Sequence, residues 1–132
     1  MIFQLDPRLE ADTVFATDWS LSRVLLMNDA RYPWLVLVPR GASLIEIADL
    51  PVADRAGLME EIVRAGEILR ALPGIAKLNV GALGNVVRQL HVHVIGRRPG
   101  DPAGAGPVWG HGTAIPYGPE ARDRLIALVR AH

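Results

Sequence analysis

The sequence predicts an α+β domain with an antiparallel sheet, and three observations carry that reading. Several short apolar runs are bounded by turn residues. One long segment repeats its apolar residues at helical spacing. One strand alternates histidine with aliphatic residues.

In chain order, the first strand character lies in Thr13-Val14-Phe15-Ala16, and the next in Ser22 to Met27, closed by the turn-prone pair Asn28-Asp29. Trp34-Leu35-Val36-Leu37-Val38 is a continuous apolar run between Pro33 and Pro39, which favours a buried strand over a helix. A helix is expected after Pro51, with Leu58, Ile62, Ala65, Leu69 and Leu72 toward the core. Glu60, Glu61, Arg64, Glu67 and Arg70 fall on its other side, with Glu60 and Arg64 as an i,i+4 pair. Asp54 suits the helix start, and Pro73-Gly74 stop it. A strand from about Ala76 to Ala82, a turn over Gly81 to Asn85 and a strand from about Val87 to Gly96 read as a hairpin. Glycine and proline are dense between Pro99 and Pro119, which predicts an irregular segment. Ala121 to Ala131 reads as a closing helix, with Leu125, Ile126 and Val129 as its apolar stripe.

The 132 residues suit one domain, with a core over about residues 1–97 and a tail and closing helix over 98–132. Half of the residues are apolar, so a sizeable core can form. A formal net charge of zero argues against a nucleic-acid footprint. There are no cysteines, which removes disulfides and thiolate metal sites. The first residues lack the basic and apolar regions of a secretory signal, and runs such as Leu35 to Val38 are too short to span a bilayer. These features lead to the expectation of a cytoplasmic protein with neither nucleic acid nor membrane as partner.

In the histidine strand, Leu90, Val92 and Val94 share one face, and Gln89, His91 and His93 share the other at steps of about 7 Å. Three readings of that row compete. It can be an ordinary exposed polar face. It can be a metal site using His91 and His93, which needs a further ligand. His111 is the one other internal histidine, and the nearest acid, Asp101, lies beyond a Gly/Pro turn. It can be a nucleophilic site. A neutral imidazole attacks phosphorus through one nitrogen while the other donates its hydrogen to a carbonyl, and water then resolves the phosphohistidine. The upstream stretch Asn79-Val80-Gly81-Ala82-Leu83-Gly84-Asn85 supports the third reading. Its glycines admit an anion close to backbone N–H groups, and its asparagines can donate to phosphate oxygens. Each asparagine alone is also ordinary turn chemistry.

With the strand Gln89-Leu90-His91-Val92-His93-Val94-Ile95 followed by Gly96-Arg97, the sequence resembles the histidine triad (HIT) family of nucleotide hydrolases and transferases. The asparagine–glycine strand before the motif, the strand Val24 to Asn28 and the strand Trp34 to Pro39 extend the match over about residues 3–110. Gln89-Leu90-His91 and Pro107-Val108-Trp109-Gly110 are similar to a bacterial subgroup labelled diadenosine tetraphosphate hydrolases. The resemblance implies a curved antiparallel sheet of about five strands with one main helix, and a homodimer. It implies a purine nucleotide substrate, cleaved at an anhydride, phosphoramidate or related linkage through a phosphohistidine, with no cofactor. It makes His91 the nucleophile and His93 the residue that orients phosphate or assists the leaving group. Asn28 falls at the ribose, Asn79 at the phosphate, with Gly84 and Asn85 in the adjoining turn. Phe3, Phe15 and Leu26 are expected as walls for the base.

The sequence departs from the family pattern at several places. The first motif histidine is Gln89, which can orient a neighbour but cannot exchange a proton near neutral pH. Trp34 stands where the family often has a histidine, and Val86 where it often has Ser or Thr. Gly104-Ala105 stands where the subgroup has Trp-Pro. Losing one preorganised donor worth about 3 kcal/mol slows chemistry roughly 100-fold. The alternative to an enzyme is therefore a nucleotide-binding, regulatory protein with little turnover. Trp109 is expected either to anchor the tail or to close over a site, and His111 and His132 carry no assigned role.

Overall fold

A computed structural model describes residues 2–132. It contains α1 (Pro7–Asp12), β1 (Thr13–Asp18), β2 (Ser22–Met27), β3 (Trp34–Pro39), α2 (Val52–Arg70), β4 (Lys77–Gly81), β5 (Val92–Arg97) and α3 (Pro119–Arg130), with a short 3₁₀ turn at Ile47–Asp49. The strands form one open antiparallel sheet in the order β1-β2-β3-β5-β4. The expected α+β class and five-strand sheet are both found. Among the described residues, no helix is long and apolar enough to cross a membrane.

The sheet is covered on both faces. Val24, Leu26, Leu35, Leu37, Val92 and Val94 pack under Leu58, Ala65, Ile68 and Leu69 of α2 and under Ile126 and Val129 of α3. The opposite face carries Leu25, Trp34, Val36, Val38 and Ile95. It is covered by Leu9 of α1, by Phe3 and Leu5 before it, and by Val108 and Trp109 of the tail. The central strand β3 buries all six of its residues, as a run without alternation requires.

Several local expectations need correction. The last strand begins at Val92 rather than Val87. The backbone N–H of Leu90 donates to Leu44 O at 2.9 Å, so this stretch is tied to the loop before α2 and not to β4. Leu90 still packs in the helix-side core with Val92 and Val94. Glu61 is not on the solvent side of α2. It is buried and accepts the backbone N–H of Leu21 at 2.9 Å, fastening the β1–β2 turn to the helix. Glu60 and Arg64 form no ion pair; the Arg64 guanidinium lies 4.2 Å from the centre of the Trp19 ring. Ile68 joins the core in addition to the expected stripe. Helix α1 was not foreseen. Its signals are the capping carboxylate of Asp6, which accepts from Arg8 N, and Pro7 in the first turn.

The Gly/Pro-rich tail is irregular but docked. Arg97, at the end of β5, pairs with Asp101 at 2.7 Å and donates also to Asn79 Oδ1 and to the carbonyls of Gly104 and Gly106. Asp101 therefore folds back onto the end of the histidine strand rather than lying away from it. The hydrogen bond from Arg97 pulls the Asp101 carboxyl down to about 2 from an ordinary 3.8. A depressed carboxylate contributes stability above its unfolded pKa and loses it as the pH falls through the folded one. The clasp should thus weaken from about pH 4 toward pH 2, and Asp101→Asn should loosen it at neutral pH. Protease cleavage within residues 98–118 measures this; equal resistance in Asp101→Asn and wild type would refute it.

Candidate active site

The second sheet face brings His91 and His93 together, with ring centres 4.9 Å apart. Both are buried, at 6 % exposure each. Their hydrogen bonds assign their tautomers. His91 Nδ1 lies 2.6 Å from the carbonyl of Gln89. A carbonyl only accepts, so Nδ1 carries the hydrogen and Nε2 presents a lone pair. His93 is the reverse. The indole N–H of Trp34 donates to His93 Nδ1 at 3.0 Å, so that nitrogen is the acceptor and Nε2 carries the hydrogen. The pair offers one nucleophilic nitrogen and one donor.

An aromatic enclosure surrounds His93. Trp34 and Trp109 stand 5.6 Å and 5.4 Å from it, centre to centre. Trp109 reaches this position because Gly81, directly opposite His93 in the β4–β5 register, has no side chain. A Cβ there would come 3.1 Å from the Trp109 ring. Burial, with a smaller contribution from neighbouring His91, lowers the His93 pKa from 6.5 to about 4. His93 is neutral at physiological pH.

Gln89 faces elsewhere. Its Oε1 accepts from Asp6 N and its Nε2 donates to Gln4 O, both at 2.8 Å. The amide pins the N-terminal segment beside the site.

Two concavities flank the histidine pair. One, of about 510 Å³, is lined by His93, Trp34, Trp109, Met27, Asn28 and Arg31, among others. The other, of about 390 Å³, is lined by His91, Gln89, Arg88, Gly84, Leu83 and Ile45, among others. Of the expected nucleotide contacts, Asn28 therefore lies with His93 and Gly84 with His91. Asn28 Oδ1 accepts from Tyr117 N, which leaves its amide hydrogens for another partner. Gly84 adopts a φ of +80°, a conformation in which glycine is at ease. Asn85 is exposed in the connection after it. Asn79 sits in a third concavity with Arg97 and Trp109, its Oδ1 held by Arg97.

The expected base walls are not brought together with the histidines. Phe15 lines a separate hollow with Leu5, Arg23 and Leu25. The Arg23 guanidinium lies 5.3 Å from both the Phe3 and Phe15 rings. Leu26 is on the helix side of the sheet, in the main core. The period of two explains it: Leu25 and Met27, not Leu26, share the face of His93. Sequence reasoning missed Met27, Asp29 and Arg31. Burial alone would raise the Asp29 carboxyl, but hydrogen bonds from Arg31 and Ile115 outweigh it and lower its pKa. Arg31 also donates to His111 O, closing the cavity rim. Among the described residues, no three His, Asp or Glu are grouped to hold a metal ion.

A sequence model of the HIT domain family matches residues 8–100. Three solved bacterial structures, each described as a histidine triad protein, resemble this one along nearly their whole length. The one from Bradyrhizobium japonicum is 43 % identical, with 99 % of this chain and 98 % of that one covered and a TM-score of 0.96. The one from Sinorhizobium meliloti is 46 % identical, with 98 % and 96 % covered and a TM-score of 0.94. The one from Marinobacter aquaeolei is 44 % identical, with 99 % and 96 % covered and a TM-score of 0.95. No curated protein matches the chain.

The lowered His93 pKa has a consequence for stability. Between pH 6.5 and about 4 the unfolded chain takes up a proton at this position and the folded chain does not. Stability should therefore be full above about 6.5 and fall as the pH drops toward 4, by up to roughly 3 kcal/mol. Denaturant unfolding across this range should show the loss, and His93→Gln should flatten it.

Proposed function

Because the chain belongs to the HIT domain family, whose members are in general nucleotide hydrolases and transferases, we propose that it cleaves nucleoside-monophosphate linkages through an intermediate on His91. The observation that carries the reading is the complementary tautomer pair: a lone pair on His91 Nε2 beside a hydrogen on His93 Nε2. His91 attacks the phosphorus. As positive charge develops on its ring, Nδ1–H is already bonded to the Gln89 carbonyl, which stabilises it. His93 donates a hydrogen bond to a phosphate oxygen. Being neutral and held at Nδ1, it acts as an oriented donor. The nucleoside side of the substrate fits the larger cavity, where Asn28 can meet ribose. The purine base packs there with Met27 and Val108 rather than with Phe3 and Phe15.

Dinucleoside polyphosphates and nucleoside phosphoramidates are the substrate classes of this reading. The Pro107-Val108-Trp109-Gly110 segment and Gln89 support the diadenosine-tetraphosphate-hydrolase-like subgroup, acting on a cytoplasmic nucleotide pool. His91→Ala should lower kcat/KM at least about 1,000-fold, the scale on which a nucleophile matters. Intact mass during turnover of the wild type should reveal an acid-labile nucleotide adduct. Wild-type rates in His91→Ala would end the proposal. A second reading has one observation in its favour, the commitment of Gln89 to the N-terminal segment, which leaves the site short of a proton carrier. It is a nucleotide sensor, recognised by thermal stabilisation with AMP and no turnover.

The proposal includes a homodimer. Val80 is exposed on β4, whose outer edge has no partner strand among the described residues. Val52, Met59 and Val63 are exposed on α2, and the buried Gly66 of the same helix abuts Leu78 of β4. An edge and exposed apolar residues on the adjoining helix favour a second copy. Sedimentation should give twice the chain mass for the wild type and the chain mass for Val63→Glu with Val80→Lys; a monomeric wild type would contradict it.

A further inference from the structure

We infer that the Trp34–His93 hydrogen bond selects the leaving group: the site cleaves linkages whose leaving group departs as a stable anion, a phosphoanhydride rather than a phosphoramidate. The inference rests on the hydrolase reading above and narrows it. A proton can be delivered to a leaving group only by a side chain that carries one to spare. His93 would have to be doubly protonated to do so, because a neutral imidazole does not give up its last hydrogen near neutral pH. The indole N–H aimed at Nδ1 at 3.0 Å forbids that form, since two N–H groups would then face each other. His91 Nε2 is spent on phosphorus, and Gln89 holds no exchangeable acid proton. Burial of His93 acts in the same direction.

The first step then balances without proton transfer. The His91 Nε2–P bond forms, the bridging P–O bond breaks, and its electron pair leaves on the oxygen. A polyphosphate oxygen, whose conjugate acid has a pKa of about 6, accepts that pair readily. An amine nitrogen does not leave as its anion and must be protonated first. In the second step water attacks phosphorus, the P–N pair returns to His91, and the water's proton leaves with the phosphate product or to solvent. A separate observation fits an anionic leaving group. The concavity on the His91 side contains one cation, Arg88, which makes no ion pair or hydrogen bond among the described residues. Glu46 is at the same rim; the carboxylate that caps the 3₁₀ turn is that of Asp49, which accepts from the backbone N–H of Glu46 at 2.8 Å.

The test compares kcat/KM for diadenosine tetraphosphate, an adenosine 4-nitrophenyl phosphate and an adenosine phosphoramidate of a simple alkylamine. The first two should be cleaved at least about 100-fold faster than the third, the scale of a missing general acid. Trp34→Phe, which removes the indole N–H, and Trp34→His, whose ring can accept a hydrogen from Nδ1, should each narrow that ratio about 10-fold. Arg88→Ala should slow the tetraphosphate more than the nitrophenyl ester. Similar wild-type rates on all three, or a ratio that neither Trp34 variant moves, overturn the inference and leave the hydrolase reading standing. No turnover of any of them removes both. Nitrogen-15 spectra of the wild type serve where the Trp34 variants do not fold. Nδ1 of His93 without a hydrogen at pH 7 supports the inference, and a hydrogen there overturns it.

Discussion

Strand β3 lies third in a five-strand sheet and buries every one of its residues, so neither face of the sheet can be left to solvent. The helix side is closed by α2 and α3 with ordinary aliphatic packing. The other side has no long helix to cover it. It is closed by residues 3–9, an irregular stretch that runs into the short helix α1, and by the irregular segment around Val108 and Trp109. Irregular backbone has unpaired polar groups, and it docks on an apolar face only where side chains satisfy them. Gln89 does this for the N-terminal piece and Arg97 for the tail. Both flank the histidines on the same stretch of chain. The constraint that buries β3 thereby also encloses His93.

That enclosure changes what the histidines are. On an open face each imidazole would be solvated and free to exchange tautomers. Here each has one nitrogen occupied, His91 by a carbonyl and His93 by an indole N–H. The two free nitrogens differ in kind, one a lone pair and one a donor. The notch at Gly81 and the clasp at Arg97 matter through this effect, since together they seat Trp109 against His93. Replacing a buried, fully paired guanidinium costs several kcal/mol, mostly through the carboxylate and carbonyls left behind.

What the sequence made legible was whatever depends on local periodicity. The run Trp34 to Val38, the helix with Leu58, Ala65 and Leu69, and the opposite facing of Val92 and His93 all follow from spacing alone. What it hid depends on partners far along the chain. Gln89 bonds to Gln4 and Asp6 across more than eighty residues, and Glu61 meets Leu21 across forty. Nothing near either residue announces that use. Helical spacing alone left Glu61 among the charged residues of the outer side, and only the β1–β2 turn gives it a buried partner. Leu26 was placed by position relative to a motif, whereas the side it faces is fixed by the register of β2 against β3. Trp34 was visible as a departure, but its consequence was not, because the indole N–H matters through its distance to one nitrogen of His93.

The substitution at Trp34 is best understood as an exchange of one capability for another. An ionisable partner there could take up or release a proton as His93 cycles. An indole can only donate, and it donates at every pH. The site therefore gives up proton traffic at His93 and obtains a tautomer that does not depend on the solution. Gln89 makes the same exchange at the other end of the row, replacing a titratable group with an amide that holds backbone in place. The two changes are mutually consistent. A site with a mobile proton at one end and a fixed donor at the other would hold His93 in competing states. With both ends fixed, its geometry is set before substrate arrives, and electrostatic stabilisation needs no reorganisation during the reaction. In the proposed hydrolase, such a site suits chemistry that asks for charge stabilisation at phosphorus and little else.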